Sequence, residues 1–310
     1  MSLSRRRFLK TASAVTAASV VAALPRAFVT AGTSGGKTKI LLIGHQPDHP
    51  RGTHTYLLWC RLLAKCLQQT PNVETVVSDR WPKDPAVAKG IRAIFIYTSP
   101  GADVLLKGPH GEQVETLLKQ GVGLSALHWA TSARSRELVE RYKPYLGGWW
   151  PGAAGHKTTT AKVEQLAKDH PICRGWSDYD LKDEYYLAPD LMPKATPLFK
   201  VRVQGKKDPE PTDHVMAWAY ERPDGGRACG NTLGHFHENL GIEAFRKALV
   251  NGILWTAGRE IPTDGAPCAL GSSRGLPASG REIPTDGAPC ALTAKDMELP
   301  PAPKKAKNKR

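Results

Sequence analysis

Short, strongly apolar or β-branched runs recur along this chain, each separated from the next by a helical stretch or a brief link. Lys39–Gly44 (KILLIG), Val73–Ser78 (VETVVS), Ala93–Tyr97 (AIFIY) and Val122–Leu127 (VGLSAL) are of this kind. Runs this short do not make buried helices, and so little polar alternation suits strands covered on both faces. Between them, Thr55–Leu67 and Gly111–Gln120 carry apolar residues at helical spacing, with Thr53 placed as the N-cap of the first. Ser135–Arg141 predicts a third, short helix. Further strands are predicted at Thr159–Val163, Pro197–Val203, His214–Glu221 and Arg227–Leu233, and a closing helix at Ile242–Ala257. The order is that of an α/β protein with an open, doubly wound, mostly parallel sheet.

The two ends read differently. Of the net charge of +14, ten units lie in residues 1–31 and 304–310, leaving +4 for residues 32–303. A nearly neutral body argues against a nucleic-acid partner, which selects a basic stripe on the folded face. No stretch approaches the roughly 18–20 apolar residues of a membrane span. Ser4–Lys10 (SRRRFLK) matches the bacterial twin-arginine export signal, and the alanine-rich run Ala12–Leu24 suits its apolar region. Residues 1–31 therefore read as a signal peptide cut near Ala27 or Ala31, and the protein as exported to the periplasm or beyond. At the other end, Gly258–Leu270 (GREIPTDGAPCAL) recurs letter for letter as Gly280–Leu292. Two copies are too few for a solenoid, so residues 258–310 read as a disordered tail carrying a duplication. That leaves one domain, residues 32–257. No C-x-x-C spacing occurs among the six cysteines, and the sequence does not choose a disulfide.

In an open α/β sheet, ligands meet the loops after the carboxyl ends of strands. Six of the ten histidines fall there: His45, His49 and His54 after the first strand, His128 after the fourth, His235 and His237 after Arg227–Leu233. His110, His156, His170 and His214 are scattered. Clustered imidazoles suit acid–base work near neutral pH or metal ligation. Asp183-Glu184 is a carboxylate pair in an aromatic-rich stretch. It reads either as a sugar- or metal-binding pair or as a surface loop whose tyrosines pack inward. Trp129, Trp149 and Trp150 read as a sugar-stacking wall or, equally, as core.

Five segments, in order, resemble one family. They are Gly123–His128 (GLSALH), Leu146–Trp149 with Gly155-His156, His170-Pro171 with Asp183–Tyr186 (DEYY), His214–Tyr220, and Gly226-Arg227 with Leu233–His235 (LGH). The chain resembles the trehalose-utilisation (ThuA-like) family over about residues 37–257. That resemblance implies a flavodoxin-like fold related to class I glutamine amidotransferases. It also places His128 where those enzymes carry a cysteine nucleophile on a strand-to-helix elbow, with His235 in the partner position. An imidazole there excludes acyl transfer through cysteine. The resemblance implies a carbohydrate-like small molecule as ligand. His128, His235 and Glu184 are then expected as catalytic residues, and His45, His49, Asp183, Trp129 and Trp149 as substrate-binding residues. His54, His128, Glu184 and His235 would form a Zn²⁺ ligand set. The competing reading is a non-catalytic sugar- or glycan-binding module that kept the fold and lost its nucleophile. Substrate, reaction and oligomeric state are left open.

Overall fold

The computed structural model describes residues 36–206, 208–271 and 292–301. Strands β1 (Thr38–Gly44), β2 (Val73–Asp79), β3 (Ile91–Ile96) and β4 (Gly123–Leu127) pair in parallel, as the apolar runs predict. Helices α1 (Tyr56–Leu67), α2 (Gly101–Leu106), α3 (Gly111–Lys119) and α4 (Arg136–Leu146) connect and flank them. A two-residue β5 (Gly148–Trp149) pairs with β8 (Asp190–Leu191) in a small ribbon. The longer strands β6 (His156–Gln165), β7 (Tyr179–Tyr186), β9 (Thr196–Val203), β10 (Thr212–Glu221) and β11 (Arg227–Asn231) complete a nine-stranded sheet, and α5 (Glu243–Thr256) packs on it.

The sheet order is β2-β1-β3-β4-β11-β10-β9-β6-β7. Its first five strands are parallel in the 2-1-3-4-5 pattern of the flavodoxin-like doubly wound fold. The other four run antiparallel. Each inner strand feeds both faces. Ile40 and Leu42 of β1 join one core with α1 and α5, whereas Leu41 and Ile43 join a second with α2, α3 and α4. This two-sided burial explains the lack of polar alternation in KILLIG.

Local departures from expectation have local causes. Thr55, not Thr53, is the N-cap of α1, and its hydroxyl bonds to His237 instead of capping. Helix α4 runs five residues beyond Arg141, through Pro144. Gly147 closes the helix at φ 78°. The stretch around Asp183-Glu184 is a strand, β7, and not a surface loop. Among the described residues, Cys60, Cys66, Cys173, Cys229 and Cys268 are free, buried thiols. No described helix is long and apolar enough to cross a membrane.

The expectation of a disordered tail from residue 258 is corrected for residues 258–271 and 292–301. Ile261, Ala266 and Cys268 are buried against α5 and the segment around Arg174. Asn251 supplies an acceptor to Ala266 N–H, and Arg246 donates to Cys268 O. The Pro- and Gly-rich composition suggested a solvated arm. It instead shapes a strap whose main-chain groups are met by side chains of the body. The segment 1–31 expected to be a signal peptide, residues 272–291 and the basic end 302–310 lie outside the described residues. Deleting residues 258–310 is expected to lower unfolding free energy by about 2–4 kcal/mol, from loss of Ile261 burial and of the partners of Arg246 Nε and Asn251 Oδ1. Urea denaturation of the truncated chain measures it.

Candidate functional site

Four side chains from four distant parts of the sequence converge at the carboxyl edge of the parallel strands. His54 Nε2 lies 3.1 Å from His128 Nε2 and 2.9 Å from His235 Nδ1. Glu184 Oε2 lies 3.6 Å from His128 Nε2 and 3.3 Å from His235 Nδ1. All four ligand-type atoms fall within 4.8 Å of one another. The expected approach of His128 and His235 is therefore present, with ring centres 5.5 Å apart.

The backbone is bent to make this happen. His54 and His128 occupy the left-handed region, at φ 46° and 56°. That conformation costs a residue with a side chain about 1–3 kcal/mol. His128 is the first residue of the turn that follows β4, so the bend throws its ring back over the strand end. Gly234, at φ 108°, precedes His235, and a Cβ there would crowd Trp59 and Leu127.

Neighbouring groups aim the rings. His128 Nδ1 faces the Thr232 carbonyl at 2.9 Å. A carbonyl only accepts, so Nδ1–H donates to it, which leaves Nε2 as the nitrogen directed at the cluster. Tyr56 OH lies 2.7 Å from His54 Nδ1. Tyr186 stacks on His128 at 4.2 Å, and Trp150 stacks on Tyr186 at 3.7 Å. His54 Nε2 has one hydrogen at most, yet it faces two imidazole nitrogens. Direct hydrogen bonds cannot satisfy all the contacts in the cluster.

Not every predicted residue belongs to it. Glu184 does, and so do the three histidines. His49 and Trp129 lie at its rim: His49 packs at a tilt, its ring centre 3.7 Å from that of His54, hydrogen-bonds Asp48, and meets Trp129 edge-on at 5.7 Å. Asp183 does not face a ligand, because adjacent residues of a strand point to opposite sides. Its fully buried carboxylate accepts from the N–H groups of Gly234 (2.7 Å), His235 (2.9 Å) and Glu184 (2.9 Å). It thus positions His235 through the backbone and not through the ring. His45, expected to bind substrate, is buried with both ring nitrogens engaged by Gln46 O and Ser99, and it ties the end of β1 to the loop after β3. Trp149 sits in the β5–β8 ribbon and donates to Asp190, leaving Trp150 as the tryptophan that backs the site.

Two partners escaped the sequence reading. His156 Nδ1 lies 2.9 Å from Glu184 Oε1. It was one of the scattered histidines, and only the β6–β7 pairing, with Thr158 opposite Glu184, makes it a diagonal neighbour of that carboxylate. Tyr56 looked like an ordinary apolar helix position.

Residues 62–256 match the ThuA family, described as trehalose utilisation. The chain belongs to this family. In fold, the ThuA-family chain is similar to a protein of Bacteroides uniformis described as ThuA-like, 16% identical at a TM-score of 0.55, over 73% of this chain and 93% of that one. A glutamine amidotransferase of Thermotoga maritima aligns with 13% identity and a TM-score of 0.41, over 71% of this chain and 96% of that one. No curated protein matches. His128, Glu184 and His235 fall inside the family span, and His54 precedes it.

Burial, reinforced by the nearby His128, His49 and His235, pushes His54 down to about 2. Burial by itself would raise Glu184, but hydrogen bonds and charge from His128 and His235 outweigh it and hold the carboxyl well below its usual range. Asp183 is raised by burial, against the pull of His128 and its three N–H donors. His170, remote from the site, is pushed down to about 4 by burial and by Arg227 and Arg174.

Two predictions follow from this geometry. Asp183→Ala strands the Gly234 and His235 N–H groups and is expected to cost about 2–4 kcal/mol of stability, read by chemical denaturation. In metal-free protein, His54 and His170 are neutral when folded but protonate near pH 6.5 when unfolded. The unfolded chain then binds more protons, so their contribution is complete above about pH 6.5 and lost as pH falls toward 4 for His170 and toward 2 for His54. Denaturation between pH 7 and 5 is expected to show a drop of about 2–4 kcal/mol, made shallower by His170→Gln.

Proposed function

We propose that this is an exported ThuA-family protein whose three histidines and one glutamate hold a zinc-class divalent cation and act on a carbohydrate-like, polyhydroxylated small molecule. The observation carrying this reading is the convergence of His54 Nε2, His128 Nε2, His235 Nδ1 and Glu184 Oε2. A tetrahedral zinc with nitrogen ligands at its usual distance keeps ligand atoms about 3.3–3.4 Å apart. Of the six pairs among these atoms, four run from 2.9 to 3.6 Å, and all lie within 4.8 Å. His128 Nε2, which the Thr232 contact leaves directed at the cluster, and the low proton affinity of His54 suit a cation better than a proton.

A cation held there would supply Lewis acidity. The chain's own residues do the rest. Glu184 offers a carboxylate that stays ionised, with His156 bonded to its second oxygen. Trp129 presents an aromatic face at the rim, and sugars offer C–H faces to such rings. His49, partnered by Asp48, brings a half-exposed imidazole to the same rim as an acid–base group. The family description, trehalose utilisation, supports a sugar as ligand.

Protein purified without chelator or nickel resin is expected to carry about one divalent cation per chain by elemental analysis. His128→Gln and His235→Gln should each lower metal affinity by at least 10–100-fold while circular dichroism stays native. Metal-free protein with unaltered binding of trehalose and related sugars would overturn the metal reading. Calorimetry with sugars on His128→Gln separates the two roles: a binding module changes affinity only, whereas an enzyme loses turnover.

Export rests on Ser4–Lys10 and the apolar run behind it. Changing Arg5 and Arg6 to lysine is expected to leave full-length precursor in the cytoplasm, read by fractionation. Undiminished export would sink this part.

A further inference from the structure

We propose that the seat occupied by Gly258–Leu270 is a binding groove for its own sequence, and that Gly280–Leu292 is a second, interchangeable occupant within the same chain. The seat is specific. Arg174 donates to Ile261 O at 2.6 Å, Arg246 to Cys268 O at 2.7 Å and Lys247 to Asp264 O at 3.2 Å. Asn251 accepts from Ala266 N–H at 2.9 Å, and the Gln69 amide brackets both main-chain groups of Ala269. These bonds all read the backbone of the strap. The side chains buried with them are Ile261, Ala266 and Cys268. Gly265 sits at φ 80° with no room for a Cβ beside Arg174 O and Lys247.

Every feature that the seat selects is repeated 22 residues later: Ile283, Gly287, Ala288 and Cys290 stand at the corresponding positions, with both prolines. Two further observations favour exchange within one chain. First, the last residues of the two copies already lie side by side, since Leu270 pairs with Leu292 and Gly271 with Thr293 in parallel. Moving the second copy into the seat shifts the following chain by about one strand spacing, roughly 4.8 Å. Second, the loops balance. With the first copy seated, the connection from Gly271 to Leu292 counts 20 residues. With the second seated, the connection through residues 258–279 counts 22. Loop-closure probability scales with length to about the 3/2 power, so the two states differ by a factor of only about 1.2. The Leu270–Leu292 pairing exists only in the first state and makes the first copy the majority occupant.

The exchange reaches the candidate site. Beyond Leu292 the chain crosses α1, where Asp296 pairs with Lys65, and Met297 O accepts from His237 Nε2–H at 2.8 Å. Leu299 then lies against Gly52, in the loop that carries Asp48, His49 and His54. Which copy is seated therefore sets the anchor of the segment that braces this loop.

The test uses the full chain, with Ile261→Asp, Ile283→Asp and the double variant. Native protein is pulsed with iodoacetamide, and Cys268 and Cys290 are followed on the distinct tryptic peptides 260–274 and 282–295. In the unaltered chain Cys268 should label at least tenfold more slowly than Cys290. Ile261→Asp should reverse that order with a melting temperature within a few degrees of the parent. Ile283→Asp should change neither, and the double variant should label fast at both thiols and melt far lower. The proposal is overturned if Ile261→Asp alone melts as low as the double variant with Cys290 still labelling fast. It is equally overturned if Cys290 protection appears only together with concentration-dependent dimers, which would place the second copy in another molecule's seat.

Discussion

The buried carboxylate of Asp183 holds the molecule's two kinds of sheet together at the point where chemistry is concentrated. β7 lies at the far end of the nine-stranded order, four strands beyond β11. Yet Asp183 on β7 accepts from the N–H groups of Gly234 and His235, just past β11. The antiparallel end of the sheet is thereby drawn over the carboxyl edge of the parallel end. An ionisable group with no exposure is tolerated in such a place only because its acceptors are filled. Once Asp183 is fixed, the alternation of the strand delivers Glu184 to the histidines and the β6 pairing delivers His156 to Glu184.

The same edge stores strain and unfavourable electrostatics. Two histidines adopt left-handed backbone, three imidazole nitrogens face one another, and His54 resists protonation. Core packing alone gives no reason to assemble these groups. They persist because the aromatic backing of Tyr56, Tyr186 and Trp150 and the Thr232 carbonyl over-determine their positions. Locally costly arrangements of this kind concentrate at functional sites.

Much of the fold was legible in the chain. The strands β1 to β4 and the long helices follow from apolar runs and their spacing, because a strand buried on both faces and an amphipathic helix leave different periods. Of the candidate site, His54, His128, His235 and Glu184 were legible from their places after strands or from family resemblance. Asp183, His45 and Trp149 were expected at the ligand, and the structure shows their polar atoms bonded to the protein itself. Residue type and position say that a carboxylate or imidazole is near an edge, but not whether its hydrogen bonds are already spent on the backbone. The strap at 258–271 was missed for a related reason: its composition is that of a solvated arm, and only Arg174, Arg246 and Asn251 show that its main chain is satisfied by the body.

By itself, the sequence determined the alternation of strands and helices, the doubly wound order of the parallel half, the strand ends at which histidines emerge, and the identity of the two repeat copies. These are properties of neighbours along the chain. The tertiary structure alone decided which histidines meet, which carboxylate of an adjacent pair faces them, that His156 joins and His45 does not, and that the first repeat is seated. Those outcomes rest on contacts between residues 15 to 200 positions apart, and long-range pairing leaves no local period to read.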